Sequence, residues 1–424
     1  MRWGGLPVAV CGLGVSGTAA AEVLLRLGAR VTVVDTKAEY GARAAAIEAL
    51  GAHVALGEPD PGVDADLVIT SPGWRPDQPY LVRMAAQGVP VWGEVELAWR
   101  LRPARQRWYA VTGTNGKTTT TEMLGAMLAT APGSSATAGN IGTPLVQVVT
   151  APDPVDALAV ELSSFQLHWT STLAVSAGAI LNLAPDHLDW HGSMAAYGAA
   201  KRKVWGDGTT AVYNADDPAV TALAQGIPDV VPFSLEHPYD GPLAVTGPHN
   251  LANATAAATL ARIAGVTEDG IAEALRGFRT GGHRLVTVAS IGGVAYVDDS
   301  KATNPHAAQR AIESYGSVVW IAGGLNKGLS FDALVAETKD RLKAAVLIGT
   351  CAPEVRDALA RNAPEVPVED AGDLHTAVRV AHRLARAGDT VLLAPAAASM
   401  DQFTDYAERG DTFAAEVHAL EDDS

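Results

Sequence analysis

Residues 110–124 read "AVTGTNGKTTTTEML", an apolar approach, a glycine-bounded loop and the start of a helical segment. Strand, loop and helix in that order present unpaired backbone N–H groups and the positive end of a helix dipole to an anion. The spelling departs from G-x-x-x-x-G-K-[ST], whose first glycine would fall at Val111. Gly113 and Gly116 still permit the tight backbone, Lys117 adds a point charge, and Thr118 offers a hydroxyl to Mg²⁺. Gly113, Thr114, Asn115, Gly116, Lys117, Thr118 and Thr119 are therefore candidate ATP-binding residues. A glycine turn with a solvated lysine is the plainer alternative, and the flanking strand and helix argue against it.

Upstream, "LPVAVCGLGVSGTAAAEVLLRLGARVTVVDTK" reads as strand, glycine turn, helix and strand, the second strand ending at Asp35. Gly12-Leu13-Gly14-Val15-Ser16-Gly17 matches the dinucleotide fingerprint G-x-G-x-x-G, a weak signal alone that supports some nucleotide diphosphate near this turn. An NAD-dependent dehydrogenase would need catalytic partners this region lacks, and glycines serving strand-helix packing remain an alternative. Downstream, "ALAVELSS", "AGAILNL" and "TTAVYNAD" are apolar runs opening into polar residues, followed by a helix over about 250–263 and a linker, "GFRTGGHR". A third region repeats the pattern in "GVAYVDDSKATNP", "SVVWIAGGLNKG", "AAVLIGT" and "DTVLLAPAAASMDQF". The chain is thus expected to be α/β in three domains: Rossmann-like over 1–92, P-loop ATPase-like over 93–281, and Rossmann-like again over 282–424.

Composition bounds the function. A length of 424 residues exceeds one ordinary domain of roughly 100–200 residues. With 48% hydrophobic and 18% charged residues the chain is globular rather than disordered. The formal charge of −16 argues against nucleic-acid binding while permitting one local basic anion site. Cys11 and Cys351 form no C-x-x-C pair, so neither a zinc site nor a disulfide framework is indicated, as in a reducing cytoplasm. No run of 18 or more apolar residues and no signal-peptide h-region occurs, so the chain reads as neither secreted nor membrane-spanning.

Polar residues at strand ends are where open α/β sheets collect ligands. Glu161 in "VELSSFQ" and His187 in "NLAPDHLDWH" could bind a second metal ion beside the loop, although such residues are more often solvated or structural. Lys201 in "YGAAKRKVW" reads as one of three helix-surface cations. In the last domain "DDSKATN", Lys327 and Ser399 occupy strand ends, and His283-Arg284 sits at the domain junction where an arginine could reach a phosphate. Ordinary polar loops and caps are the alternative.

"GTNGKTT", "GNIGTPL", "ELSSFQL", "DHLDWH", "NADDP", "GPHN", "HR", "DDSKATN", "GGLNKG" and "SMDQFTDYAERGDTF" occur in that order and together resemble the Mur ligases, in particular their D-glutamate-adding members. The resemblance implies a cytoplasmic, ATP-dependent amide ligase of peptidoglycan synthesis, monomeric, with two Mg²⁺ ions. Its substrates would be UDP-N-acetylmuramoyl-L-alanine, D-glutamate and ATP. It assigns Lys117 to the phosphates, Thr118 to the first magnesium, and Glu161 and His187 to metal. Lys201 matches the lysine carried as a carbamate, a metal-holding anion, which reverses the surface reading. Asn250 and Asn253 match nucleotide contacts, Arg284 the γ-phosphate arginine and Asp299 the ribose acid. Lys301, Thr303, Lys327, Ser399 and Tyr406 match the D-glutamate site. Val15, Ser16, Asp35, Thr36, Lys37, Ser71, Gly73, Asn140, Ser163 and Gln166 match surroundings of the UDP-sugar, so the first glycine turn becomes a UDP site in place of an NAD site. Segments near 206–212 and 218–246 are shorter than the family pattern. Another ligase of the same superfamily, such as a folylpolyglutamate synthase, and a non-catalytic nucleotide-binding regulator are the alternatives. Sites spread over three domains imply that ligands close the C-terminal domain.

Overall fold

A computed structural model describes residues 2–38, 41–279 and 281–422. The first sheet contains β1 (Pro7–Cys11), β2 (Arg30–Asp35), β3 (His53–Leu56), β4 (Leu67–Thr70) and β5 (Val91–Gly93) in the order β3-β2-β1-β4-β5, all parallel. The order reverses beside β1, so the crevice at the ends of β1 and β4 falls at Gly12 and Ser71.

The second sheet contains β6 (Arg107–Thr112), β7 (Ser135–Gly139), β8 (Ala157–Glu161), β9 (Ala177–Ile180), β10 (Thr210–Asn214) and β11 (Val230–Phe233). Its order is β11-β10-β9-β6-β8-β7, again parallel throughout. The strand that enters the "GTNGKTT" loop, β6, therefore lies between β8, which ends in Glu161, and β9, which runs on into Asn182. The loop passes into a helix, Lys117–Leu128, whose Thr118, Thr119, Thr120 and Thr121 are all buried. The alanine-rich helix Pro248–Ala264 packs on it, small side chains allowing close approach.

The third sheet contains β12 (Val286–Ile291), β13 (Val294–Asp298), β14 (Val318–Gly323), β15 (Leu342–Ile348), β16 (Val368–Gly372) and β17 (Thr390–Leu393) in the order β12-β13-β17-β14-β15-β16. Strand β14, "VVWIAG", is buried at every position, the continuous apolar run of a parallel strand covered on both faces. Sequence patterning misses β5, β7, β11, β12 and β16. Strand β5 is three residues long and β7 is built of small residues, while β11, β12 and β16 are sheet edges with exposed positions, the short apolar run of β11, "VVPF", being broken by a proline. Strand β12 also pairs antiparallel with β13 through Gly292-Gly293, both at positive φ (58° and 79°), so this sheet is mixed. A Gly-Gly pair between apolar residues is a hairpin signal that the sequence carried in plain view.

The chain divides into two compact units, Met1–Leu183 with Ala195–Phe278, and Ala184–Met194 with Arg279–Ser424. The first holds two sheets and the second holds one. Among the described residues no helix is long and apolar enough to cross a membrane.

Two buried carboxylates in the helix Glu94–Leu101 behave oppositely. Burial pushes Glu96 up, but bonds from the N–H groups of Ser171 (2.8 Å) and Thr172 (3.0 Å), the Thr172 hydroxyl (2.6 Å) and Arg100 (2.7 Å) hold it below the usual range. Glu94 is 3% exposed, and burial pushes its carboxyl from 4.5 up to about 7, the bond it accepts from Val146 N–H (2.6 Å) offsetting only part. The folded state then holds this proton more tightly than the unfolded chain, so stability is lost as pH rises from 4.5 through 7, by about 3 kcal/mol in full. Glu94→Gln is expected to raise the thermal midpoint more at pH 8 than at pH 5; an equal shift at both values would contradict the assignment.

Candidate active site

The loop between β6 and the helix Lys117–Leu128 is held from several sides. Gly116 caps the helix at φ 83°, and a Cβ there would lie 2.4 Å from Asn253 Oδ1, so glycine is required on both counts. Lys117 Nζ folds back onto the carbonyls of Gly113 (3.1 Å) and Thr114 (2.9 Å). Thr114 Oγ1 meets the Tyr197 hydroxyl at 3.1 Å. Thr114, Thr118 and Thr119 are buried. Asn253, also buried, lies against the loop, whereas the Asn250 side chain donates to Thr246 O at 2.8 Å.

Lys201 is no surface cation: it is 1% exposed, its ammonium 2.7 Å from Gly113 O. The ammonium groups of Lys117 and Lys201 thus donate to one carbonyl. Its ring neighbour is Tyr197, 4.5 Å from ammonium to centroid.

Glu161 is 2% exposed at the end of β8, in register with Val111 of β6. Its Oε1 accepts from Asn140 Nδ2 at 2.9 Å, while the buried Oε2 has no hydrogen-bond partner among the described residues. A buried, unsatisfied carboxylate oxygen is costly unless something positive meets it. Among the described residues no group of three or more His, Cys, Asp or Glu could hold a metal. The orphaned oxygen of Glu161 fits Mg²⁺, which is held by one or two carboxylates plus phosphate oxygens and water more often than by an all-protein cage.

Around the first sheet, Asp35 is buried and accepts from the N–H groups of Leu13 (2.8 Å) and Lys37 (3.0 Å), closing the acid onto the glycine turn. Ser71 Oγ donates weakly to Gly12 O at 3.4 Å. Val15 is 64% exposed, Ser16 half-buried, and Thr36, Lys37 and Gly73 are exposed, a polar and accessible rim. Ser163 and Gln166 form a reciprocal capping box on the helix Ser164–His168, so both polar groups also serve local structure.

In the second unit, neighbouring strands β13, β17 and β14 deliver Asp299, Ser399 and Lys327 from their carboxyl ends. Burial pushes Asp299 up to about 7, against the bond from Leu285 N–H (3.2 Å) and with help from the Asp298 charge. Lys301 donates to the Tyr406 hydroxyl at 3.1 Å, Thr303 is half-buried and Ser399 buried. Lys327 forms an ion pair with Asp186 at 2.7 Å, whose other oxygen accepts from Asn304 at 3.3 Å and lies 3.5 Å from His187 Nε2. The described non-glycine residues with φ between 20° and 160° are His187, His283, Leu285 and Ala396. Each stands at or near a candidate residue: His283 and Leu285 bracket Arg284, and Ala396 precedes Ser399. Such strain collects at functional sites.

Sequence reading missed Asn182, Asp186, Tyr197 and Arg409. Arg409 is 1% exposed and ties Ser300 O (2.8 Å) to Ala397 O (3.3 Å), burial lowering its guanidinium to about 10. Asn182 stood at the end of an apolar run and Asp186 beside His187, signals available but common; Tyr197 opens "YGAAKRKVW" and Arg409 lies inside "SMDQFTDYAERGDTF", with nothing in either stretch to single it out.

The sequence matches three family models: Mur ligase MurD-like N-terminal domain over residues 7–93, Mur ligase middle domain over 111–240, and Mur ligase glutamate ligase domain over 283–397. A UDP-N-acetylmuramoylalanine–D-glutamate ligase of Frankia casuarinae is 56% identical, the alignment covering 99% of this chain and 96% of the relative. One of Thermobifida fusca is 50% identical over 99% and 100%. The Frankia alignment runs over 452 positions against 424 residues here, so the relative carries segments this chain lacks. Among solved structures, the UDP-N-acetylmuramate-alanine ligase MurC of Thermotoga maritima superposes with a TM-score of 0.60 at 20% identity, covering 98% of this chain and 100% of its own. A pseudomurein peptide ligase type C of Methanothermus fervidus gives 0.61 at 18%, with the same coverage. At such identities the likeness extends to the fold.

Proposed function

From the premise that this chain belongs to the Mur ligase family, we propose that it joins D-glutamate to UDP-N-acetylmuramoyl-L-alanine with consumption of ATP. The observation that carries this is identity of 56% and 50% over nearly the whole chain to two ligases named for that reaction. A carboxylate is a poor electrophile. Transfer of the γ-phosphoryl group of ATP to the L-alanine carboxylate gives ADP and an acyl phosphate. The neutral amine of D-glutamate then adds to the acyl carbon, and the tetrahedral adduct expels phosphate as the amide forms and the nitrogen loses its proton.

In this reading Lys117, Gly113–Thr119, Asn253, Asn250 and Arg284 bind the nucleotide phosphates and base, and Asp299 meets the ribose. Lys301, Thr303, Lys327, Ser399 and Tyr406 receive D-glutamate. The rim of Val15, Ser16, Asp35, Thr36, Lys37, Ser71 and Gly73, with Asn140, Ser163 and Gln166, takes the UDP-sugar. Thr118, Glu161, His187 and a carbamate on Lys201 would hold Mg²⁺, which when bound neutralises charge between carboxylate and triphosphate. The unpartnered Oε2 of Glu161 supports that role. We carry with it a monomeric, cytoplasmic enzyme, in keeping with Cys11 and Cys351 as buried free thiols.

Phosphate release measured with each amino acid in turn tests the proposal. Release is expected only when UDP-N-acetylmuramoyl-L-alanine, D-glutamate, ATP and Mg²⁺ are all present. Equal turnover with L-glutamate or L-lysine, or extension of folates, would overturn it.

A further inference from the structure

The side chain of Asn182 makes a two-way bond with the phosphate-binding loop. Its Oδ1 accepts from Asn115 N–H at 2.8 Å, and its Nδ2 donates to Asn115 O at 3.0 Å. Only one orientation of the amide satisfies both. The backbone of the same residue takes part, its carbonyl accepting from Thr114 N–H at 3.0 Å. Three bonds from one residue therefore fix the peptide groups at 114 and 115. The geometry has a simple origin: β9 lies directly beside β6, with Ile180 in register with Thr112, and where the loop leaves the sheet the Asn182 amide replaces the ladder that the strand no longer provides.

We propose that Asn182 is a positioning residue for the triphosphate, holding the loop in its anion-ready shape before nucleotide arrives. A loop ordered in advance loses less conformational freedom when the ligand binds, so affinity gained in this way disappears when the clamp is cut. Because Asn115 N–H is engaged by Asn182, the proposal gives the phosphates to the positive end of the helix Lys117–Leu128. It rests on the reading of this loop as an ATP site.

The test compares Asn182→Ala with the near-isosteric Asn182→Asp. The aspartate keeps an acceptor for Asn115 N–H but turns a second oxygen toward Asn115 O. Binding of the non-hydrolysable analogue AMP-PNP with Mg²⁺, measured by calorimetry, is expected to weaken about tenfold in the alanine variant and further in the aspartate variant. The KM values for the UDP-sugar and D-glutamate should stay within about twofold of wild type. A side chain that merely fills space would give the opposite ranking, aspartate binding better than alanine, and that ranking overturns the proposal. So does unchanged AMP-PNP affinity in both variants. If wild-type protein itself fails to bind AMP-PNP, the ATP-site reading falls, and the clamp with it. Should the alanine variant not fold, Asn182→Ser carries the same comparison.

Discussion

Lys201→Ala is expected to lower ligase turnover by about 10²–10³-fold, the range for losing one preorganised charge-stabilising group. A small carboxylate or bicarbonate should restore part of it. Two ammonium groups, those of Lys117 and Lys201, meet at the carbonyl of Gly113, and Lys201 is 1% exposed. Carbamylation of a lysine proceeds through its neutral amine. That amine can add to CO₂, forming a C–N bond and releasing a proton, so that the side chain changes from a cation to an anion. The change removes the like-charge pair and supplies an oxygen donor suited to Mg²⁺. Steady-state turnover of the alanine variant with and without added acetate measures both effects. Full activity in the variant would refute the assignment, and loss without any rescue would reduce Lys201 to a packing role.

Glu161→Gln is expected to lower turnover by about 10²–10³-fold as well, while the thermal midpoint stays the same or rises. The two readouts part because the carboxylate is costly where it stands: Oε2 is buried without a hydrogen-bond partner, and the residue is 2% exposed. A neutral amide of the same shape keeps an acceptor for Asn140 Nδ2, which now reaches Oε1 at 2.9 Å, and removes the buried charge. On the proposed reading, catalysis loses a metal-binding oxygen in the same exchange. Turnover against Mg²⁺ concentration and a melting curve decide the matter. Activity close to wild type would remove Glu161 from the metal site, and a midpoint several degrees lower would mark it as structural.

Much of the site was legible because its signals are local. Gly113, Gly116, Lys117 and Thr118 sit within six positions of each other, and the backbone freedom, charge and hydroxyl they contribute follow from residue type and from the strand and helix on either side. The polar ends of the apolar runs likewise pointed to Glu161, Asp299, Lys327 and Ser399, since strand ends in parallel sheets share one edge. The edge strand β16, "VEDAG", was not legible, because its exposed Glu369 and Asp370 leave it without an apolar run. Nor was the environment of Lys201, whose helical neighbours in sequence read as solvent-facing.

The sequence by itself determined the α/β class, the phosphate loop and the family to which the chain belongs, all properties of short segments and their order. Only the tertiary structure decided that Lys201 is buried beside Gly113, that one oxygen of Glu161 is left unpartnered, and that Asn182 clasps Asn115 from 67 positions away. The physical reason is the strand order. It sets β9 and β8 on either side of β6, and hydrogen bonds and burial between residues so distant in the chain exist only once that sheet has formed.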